Sequence, residues 1–192
     1  MQFHKRWVLI TGASSGLGEE MARQLAAEQQ ANLILVARRS DRLVALGEQL
    51  QQRYGIEYQA ISADLSLSQD VNRVFETAVR DHAVYGVILN AGITHFGEHL
   101  DLPWESFEQL LATNVTSVVR LATLFATYLR EQNTSGGMMM VASMAGLVPV
   151  PYQAAYSGSK GYICNFGLSL AEELRGEPLS VTVFAPGGIA TP

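Results

Sequence analysis

The amino-acid sequence predicts an α/β domain built on a doubly wound, Rossmann-type parallel sheet, and three observations carry that expectation. Short apolar runs alternate with longer stretches of helical period along the whole chain. The runs are mostly Val, Ile and Leu at consecutive positions, as in strands covered by helices on both faces. A glycine-rich turn, Thr11 to Gly18, joins the first run to the first helical stretch, an arrangement that turns backbone N–H groups toward phosphate. At 192 residues the chain is sized for a single domain, 1–192.

In order, strands are expected at Trp7–Ile10, Asn32–Ala37, Ile56–Ile61, Tyr85–Leu89, Met138–Ser143 and Leu179–Ala185. Helices are expected at Gly16–Gln29, Asp41–Tyr54, Ser68–Asp81, Trp104–Arg130 and Tyr152–Arg175. Ser68 reads as a cap for the third helix, and Pro103 as a first-turn proline for the fourth.

Composition narrows the function. The chain is 48% hydrophobic and 16% charged with a net charge of -5, which argues against a general nucleic-acid binder because phosphates require a basic face. Cys164 is the only cysteine, so no intrachain disulfide forms, and a small buried packing role is expected. Of His4, His82, His95 and His99 only the last two are four apart. They lack a third ligand, so no metal site is expected. The apolar run Trp7–Ile10 is too short for a secretion signal, and no segment approaches the ~20 apolar residues of a membrane span. The expectation is a cytoplasmic protein with no membrane partner.

In the glycine-rich turn, Gly12 allows the tight bend, Gly16 lets the backbone approach a pyrophosphate, and Gly18 permits close helix–strand packing. Ser14 and Ser15 add hydroxyl donors. No Lys-Ser/Thr pair follows, which disfavours a nucleoside-triphosphate loop. The second strand runs into Ala37-Arg38-Arg39 without a carboxylate at its tip. An acidic residue there binds a ribose 2′-hydroxyl, whereas an arginine accommodates a 2′-phosphate. The arginines therefore read as selecting NADP over NAD, against the plainer alternative of two solvated side chains. A charge-assisted hydrogen bond is worth ~1.5–3 kcal/mol, about ten- to a hundredfold in affinity.

Tyr156 and Lys160 stand four apart in a predicted helix and so share one face. Chance often supplies such a pair, as a buried ring with a snorkelling lysine. Ser143 at the end of the fifth strand and Asn114 inside an apolar helix change its meaning, since an interior helical Asn needs a reason. Reducing a ketone by hydride transfer leaves an alkoxide that needs a proton. Tyr156 can supply it, Lys160 can favour the phenolate left behind, and Ser143 can hold and polarise the carbonyl oxygen. Asn114 can order a water that relays protons onward from Lys160.

The set Thr11-Gly12-x-x-x-Gly16-x-Gly18, Asn90-Ala91-Gly92, Asn114, Ser143, Tyr156-x-x-x-Lys160 and Pro186-Gly187 resembles the short-chain dehydrogenase/reductase family, in family order over the whole chain. The resemblance implies sheet order 3-2-1-4-5-6 and a catalytic tetrad of Asn114, Ser143, Tyr156 and Lys160. It implies pyrophosphate at the glycine turn, Asp64 near the adenine, and Asn90, Ala91 and Gly92 steadying the central strands. Leu17, Leu65 and Ile189 belong to the same cofactor set, Pro186 and Gly187 lie against the nicotinamide, and Thr191 bonds its carboxamide. Members of that family continue through a substrate-covering loop, a helix and a seventh strand. The expectation is thus a truncated member whose sixth strand lies at an open sheet edge and whose site lacks its lid.

The resemblance further implies hydride exchange between NADP(H) and a carbonyl or secondary alcohol on a small-molecule substrate. A homodimer through the helices near 104–130 and 152–175 is also implied. A cofactor-binding sensor or scaffold without turnover is the alternative, and an isomerase or dehydratase on the same fold stays open. Thr94, His95, Phe96, Ala145, Val150 and Gln153 are candidate pocket residues, with His95 and Gln153 either orienting a polar group or facing solvent.

Overall fold

A computed structural model describes residues 2–132 and 135–188. Six strands form one parallel sheet: β1 (Trp7–Thr11), β2 (Asn32–Ala37), β3 (Tyr58–Ser62), β4 (Val84–Leu89), β5 (Gly136–Val141) and β6 (Leu179–Phe184). Their order is β3-β2-β1-β4-β5-β6, the doubly wound order expected. The direction of winding reverses between β1 and β4, so loops leaving the C-terminal ends of these two neighbours diverge and open a crevice. The helices are α1 (Gly16–Gln29), α2 (Ser40–Tyr54), α3 (Ser68–Asp81), α4 (Trp104–Leu111), α5 (Ser117–Glu131) and α6 (Ala154–Glu173).

Period-two alternation sorts the strand side chains into two cores. Val8, Ile10, Leu33 and Leu35 pack with Ala22, Ala26, Leu43, Leu46 and Leu50 of α1 and α2. Leu9, Ile34, Val36, Val87, Met138 and Met140 pack on the other side with Val74, Leu121, Phe125 and Ile163 of α3, α5 and α6. Cys164 is buried in that second core, consistent with a packing role.

Four expectations are corrected. The β6 strand is covered on one face only: Leu179, Val181 and Val183 point inward, whereas Ser180, Thr182 and Phe184 are exposed. Its Leu-Ser-Val-Thr-Val alternation is the signature of a half-buried strand. Ser68 is the first residue of α3 rather than its cap; Leu67 takes the cap position with no side-chain bond. The first turn is held instead by Asp70, whose carboxylate accepts from Asp64 N at 2.7 Å and from Arg73 Nη2 at 2.7 Å. The single long helix from Trp104 is interrupted by a π-helical turn at Ala112–Thr116. Finally, the run Trp104–Glu131 is long and apolar enough to cross a membrane by length and composition. Leu121, Phe125 and Leu129 are nevertheless buried against the sheet, which is how a core helix acquires such a composition.

Candidate active site

The site grows from the end of β1. Thr11 Oγ1 accepts hydrogen bonds from Asn90 N at 2.9 Å and Ala91 N at 3.0 Å, while Asn90 Nδ2 donates to Thr11 O at 3.0 Å. Three contacts thus tie the β4 exit at Asn90 and Ala91 to Thr11, and a weaker donation from Thr11 Oγ1 to Ile88 O at 3.4 Å ties Thr11 to β4 itself. The closeness has a steric condition. A Cβ on Gly12 would meet Asn90 Nδ2 at 2.8 Å and Ala91 Cα at 2.9 Å, and one on Gly18 would strike the Gly12 carbonyl. Gly12 also holds φ 71°, which side chains resist. Ser15, at the cap of α1, makes no side-chain cap bond, so the first N–H groups of that helix face outward with the positive end of its dipole.

Around this turn lies a cleft of roughly 430 Å³. Gly12, Ser14, Ser15, Gly16 and Leu17 line its floor, Arg38, Arg39, Asp64 and Leu65 one end, and Asn90, Ala91, Gly92 and Tyr156 the other. The two arginines differ in a way the sequence does not show. Arg39 reaches back over the turn and donates from Nη2 to Ser14 Oγ at 3.0 Å and Ser15 Oγ at 2.8 Å. Arg38 is exposed at the rim, its carbonyl accepting from Ser62 Oγ at 3.1 Å. Asp64 turns one oxygen into its own loop, where Oδ1 accepts from Ser66 N at 2.9 Å and Ser66 Oγ at 2.8 Å. The neighbouring Asp70 carboxyl is held below its ordinary range by its bond to Arg73 and the Asp64 amide.

A second cleft, roughly 560 Å³, joins the first across Leu17, Asn90, Gly92, Ile93 and Tyr156. Its walls carry Ser143, Met144, Ala145, Lys160, Pro186 and Gly187. Ser143 stands two residues past β5, where it caps a 3₁₀ turn, Met144–Gly146, by accepting from Ala145 N at 3.1 Å. That turn sits directly on α6, because a Cβ on Gly146 would meet the Lys160 carbonyl carbon at 2.5 Å. The β6 exit is drawn alongside it by Met144 N donating to Pro186 O at 2.9 Å. Ile189 and Thr191 lie outside the described residues.

Lys160 is almost fully buried and donates from Nζ to Val141 O at 2.8 Å. Its ammonium lies 5.9 Å from the centre of the Tyr156 ring, as expected of a one-turn pair on a helix. Burial pulls the lysine pKa down to about 8, because removing the ammonium from water disfavours the charged form. Asn114 is completely buried in the π-helical turn. Its Oδ1 accepts from Ile93 N at 2.8 Å, and its Nδ2 donates to Ile93 O at 2.8 Å and Ser159 Oγ at 3.1 Å. The widened turn aims this amide inward at the peptide shared by both clefts, which explains an interior Asn that helix propensity disfavours. Asn114 Oδ1 and Lys160 Nζ border Gly92 together, each near the position its Cβ would take.

Of the candidate pocket residues, Thr94, Ala145, Val150 and Gln153 line the second cleft, whereas His95 and Phe96 do not. Phe96 is exposed on the outer side of its loop against Tyr152, and His95 folds toward Gly97. Val148 and Gly188 join the lining without having been singled out from sequence. Their loops have no pattern that would have revealed it.

Fold and site together define a dinucleotide-type α/β domain with Ser143, Tyr156 and Lys160 on a cleft that adjoins the crevice between β1 and β4. The chain belongs to the short-chain dehydrogenase family, whose model matches residues 6–192. It is 33% identical over its whole length to glucose 1-dehydrogenase of Gluconobacter oxydans, spanning 72% of that protein. Among solved structures it resembles a short-chain dehydrogenase from Sphingobium yanoikuyae in complex with NADPH, at TM-score 0.91 and 31% identity over 97% of this chain and 72% of the other. It also resembles L-sorbose reductase of Gluconobacter frateurii complexed with NADPH and L-sorbose, at TM-score 0.91 and 28% identity over 100% and 73%.

Proposed function

We propose that this chain is an oxidoreductase that uses NADP(H) to interconvert a carbonyl and a secondary alcohol on a small molecule. The carrying observation is the continuous groove that runs from the glycine turn to the Tyr156 and Ser143 side chains. The residues fit the cofactor: an uncapped helix start behind a turn kept open by Gly12 and Gly18 suits a pyrophosphate, and two arginines at the far rim suit a 2′-phosphate. Gly12, Ser14, Ser15, Gly16, Leu17 and Gly18 would hold the phosphates. Asp64, Leu65, Asn90, Ala91 and Gly92 would flank the adenosine and central part, and Pro186 and Gly187 would flank the ring that supplies or accepts hydride.

In this reading Tyr156 Oη gives its proton to the substrate oxygen as the carbonyl carbon becomes an alcohol, and takes it back in the reverse direction. The Ser143 hydroxyl, its oxygen already accepting from Ala145 N, keeps its proton to donate to the same substrate oxygen. Lys160, excluded from water, places positive charge near the phenolate. Asn114 holds Ile93 and therefore the wall between the clefts, with a spare Oδ1 lone pair beside Lys160 through which a water can relay protons.

Replacement of Tyr156 by Phe is expected to lower kcat for carbonyl reduction by about a thousandfold, within the range for removing a general acid. NADPH binding, read by reduced-nicotinamide fluorescence, should persist. Undiminished turnover in that variant would sink the mechanism. Homodimerisation through α4–α5 and α6 is supported by exposed Trp104, Tyr162 and Leu168, and light scattering that finds only monomer would exclude it.

A further inference from the structure

The start of α6 carries a second polar device besides Tyr156. Tyr156 and Lys160 share one face of the helix, and Gln153, just before its first residue, lines the same cleft. Gln153 occupies the cap position, yet its side chain makes no cap bond. The backbone does the structural work there, with Gln153 O accepting from Ser157 N at 2.8 Å and Gln153 N donating to Val150 O at 3.2 Å. That leaves the amide free to face the second cleft, where its one side-chain hydrogen bond among the described residues is Nε2 donating to Thr94 Oγ1 at 3.5 Å. Such a length marks a weak bond, easily exchanged for a better partner. The amide retains one N–H and its carbonyl oxygen, and Thr94 retains its hydroxyl proton. The two loops that carry this pair are joined by Gly97 N donating to Tyr152 O at 2.9 Å, so the spacing of the pair is held. The rest of the cleft is different in kind: Met144, Val148 and Val150 offer an apolar wall, with Met144 46% and Val148 52% exposed.

We propose that Gln153 and Thr94 read a hydroxyl group on one arm of the substrate while Met144, Val148 and Val150 take an apolar arm. The substrate class is then a ketone that is polar on one side of its carbonyl and apolar on the other. This assignment rests on the reductase function above.

The test compares benzyl ethyl ketone with benzyl hydroxyethyl ketone, each reduced with NADPH by the full chain, by Gln153→Leu and by Thr94→Val. One hydrogen bond in a partly solvated cleft corresponds to about tenfold, so the parent chain should favour the hydroxyethyl ketone by about that ratio in kcat/KM. Gln153→Leu should bring the ratio toward one, mainly through KM, and Thr94→Val should lower it less. Gln153→Glu, which keeps an acceptor and loses the donor, should retain part of the preference. Retained NADPH binding shows that each variant is folded. A ratio of one in the parent, or a ratio unchanged in Gln153→Leu, overturns the Gln153 assignment and leaves the reductase function standing. Reduction of neither ketone by an NADPH-bound parent chain overturns both.

Discussion

The two halves of the sheet are built differently. Along the middle of β1 and β2 both faces meet helices, α1 and α2 on one side and α3 and α5 on the other; Val8 through Ile10 and Leu33 through Val36 are essentially inaccessible. At β6 only one face is packed, by α5 and α6, while Ser180, Thr182 and Phe184 face outward. The site follows the same division. Its glycine-turn end is shaped by backbone, held by Thr11, Asn90 and the absence of side chains at Gly12 and Gly18. Its other end is made of side chains, Ser143, Tyr156 and Lys160, which line the second cleft. A backbone cradle tolerates almost no substitution, whereas a side-chain site can be retuned without moving the scaffold.

The sharpest test of this difference is in the cores. Leu35→Ala, in the doubly covered half, should cost about 2–5 kcal/mol in urea denaturation, the range for large-to-small changes at fully buried sites. A loss under about 1 kcal/mol there would remove the distinction.

The next effect belongs to Lys160. Its folded pKa of about 8 lies below the ordinary lysine value of 10.5, so between these pH values the unfolded chain binds more protons than the folded one. The stability contribution therefore rises as pH increases from about 8 to 10.5 and is flat below. Relative to Lys160→Met, the parent chain should gain about 2–3 kcal/mol across that window, measured by denaturation at stepped pH. A flat difference would mean that the ammonium reaches solvent.

Arg39→Ala probes the cradle from its rim. It should weaken NADPH binding by about tenfold or more and leave NADH within a few-fold, since a charge-assisted bond to phosphate is at stake. Equal losses for both cofactors would show that Arg39 only braces Ser14 and Ser15. The smallest effect is expected at Phe184→Thr on the open face, about 0.5 kcal/mol or less. A loss comparable to that of Leu35→Ala would show that this face is covered in solution.

Much of the architecture was legible in the chain because its signals are local. The alternation of Val-rich runs with helical periods implied the parallel sheet, and the glycine spacing placed the cradle between β1 and α1. Tyr156 and Lys160 were adjacent by helical arithmetic alone. What escaped depended on distant partners. Nothing in Arg38-Arg39 says which guanidinium folds back onto Ser14 and Ser15, twenty-five positions earlier in the case of Ser14. His95 and Gln153 had equal claims as polar pocket residues, and only the packing of their loops sent Gln153 into the cleft. The half-open face of β6 was visible in its Ser and Thr, but the neighbouring strands were uniformly apolar and obscured it.

By itself the sequence determined the kind of sheet, the glycine-rich turn and the candidate site residues, because these follow from residue type and short-range period. Tertiary structure decided where those groups meet. The π-helical turn at Ala112–Thr116 aims Asn114 at Ile93, twenty-one positions away, and the docking of the Ser143 turn on α6 brings Ser143 into the cleft of Tyr156. Burial away from water gives Lys160 its lowered pKa. These outcomes depend on the desolvation and close approach of segments far apart in the chain, which no local pattern encodes.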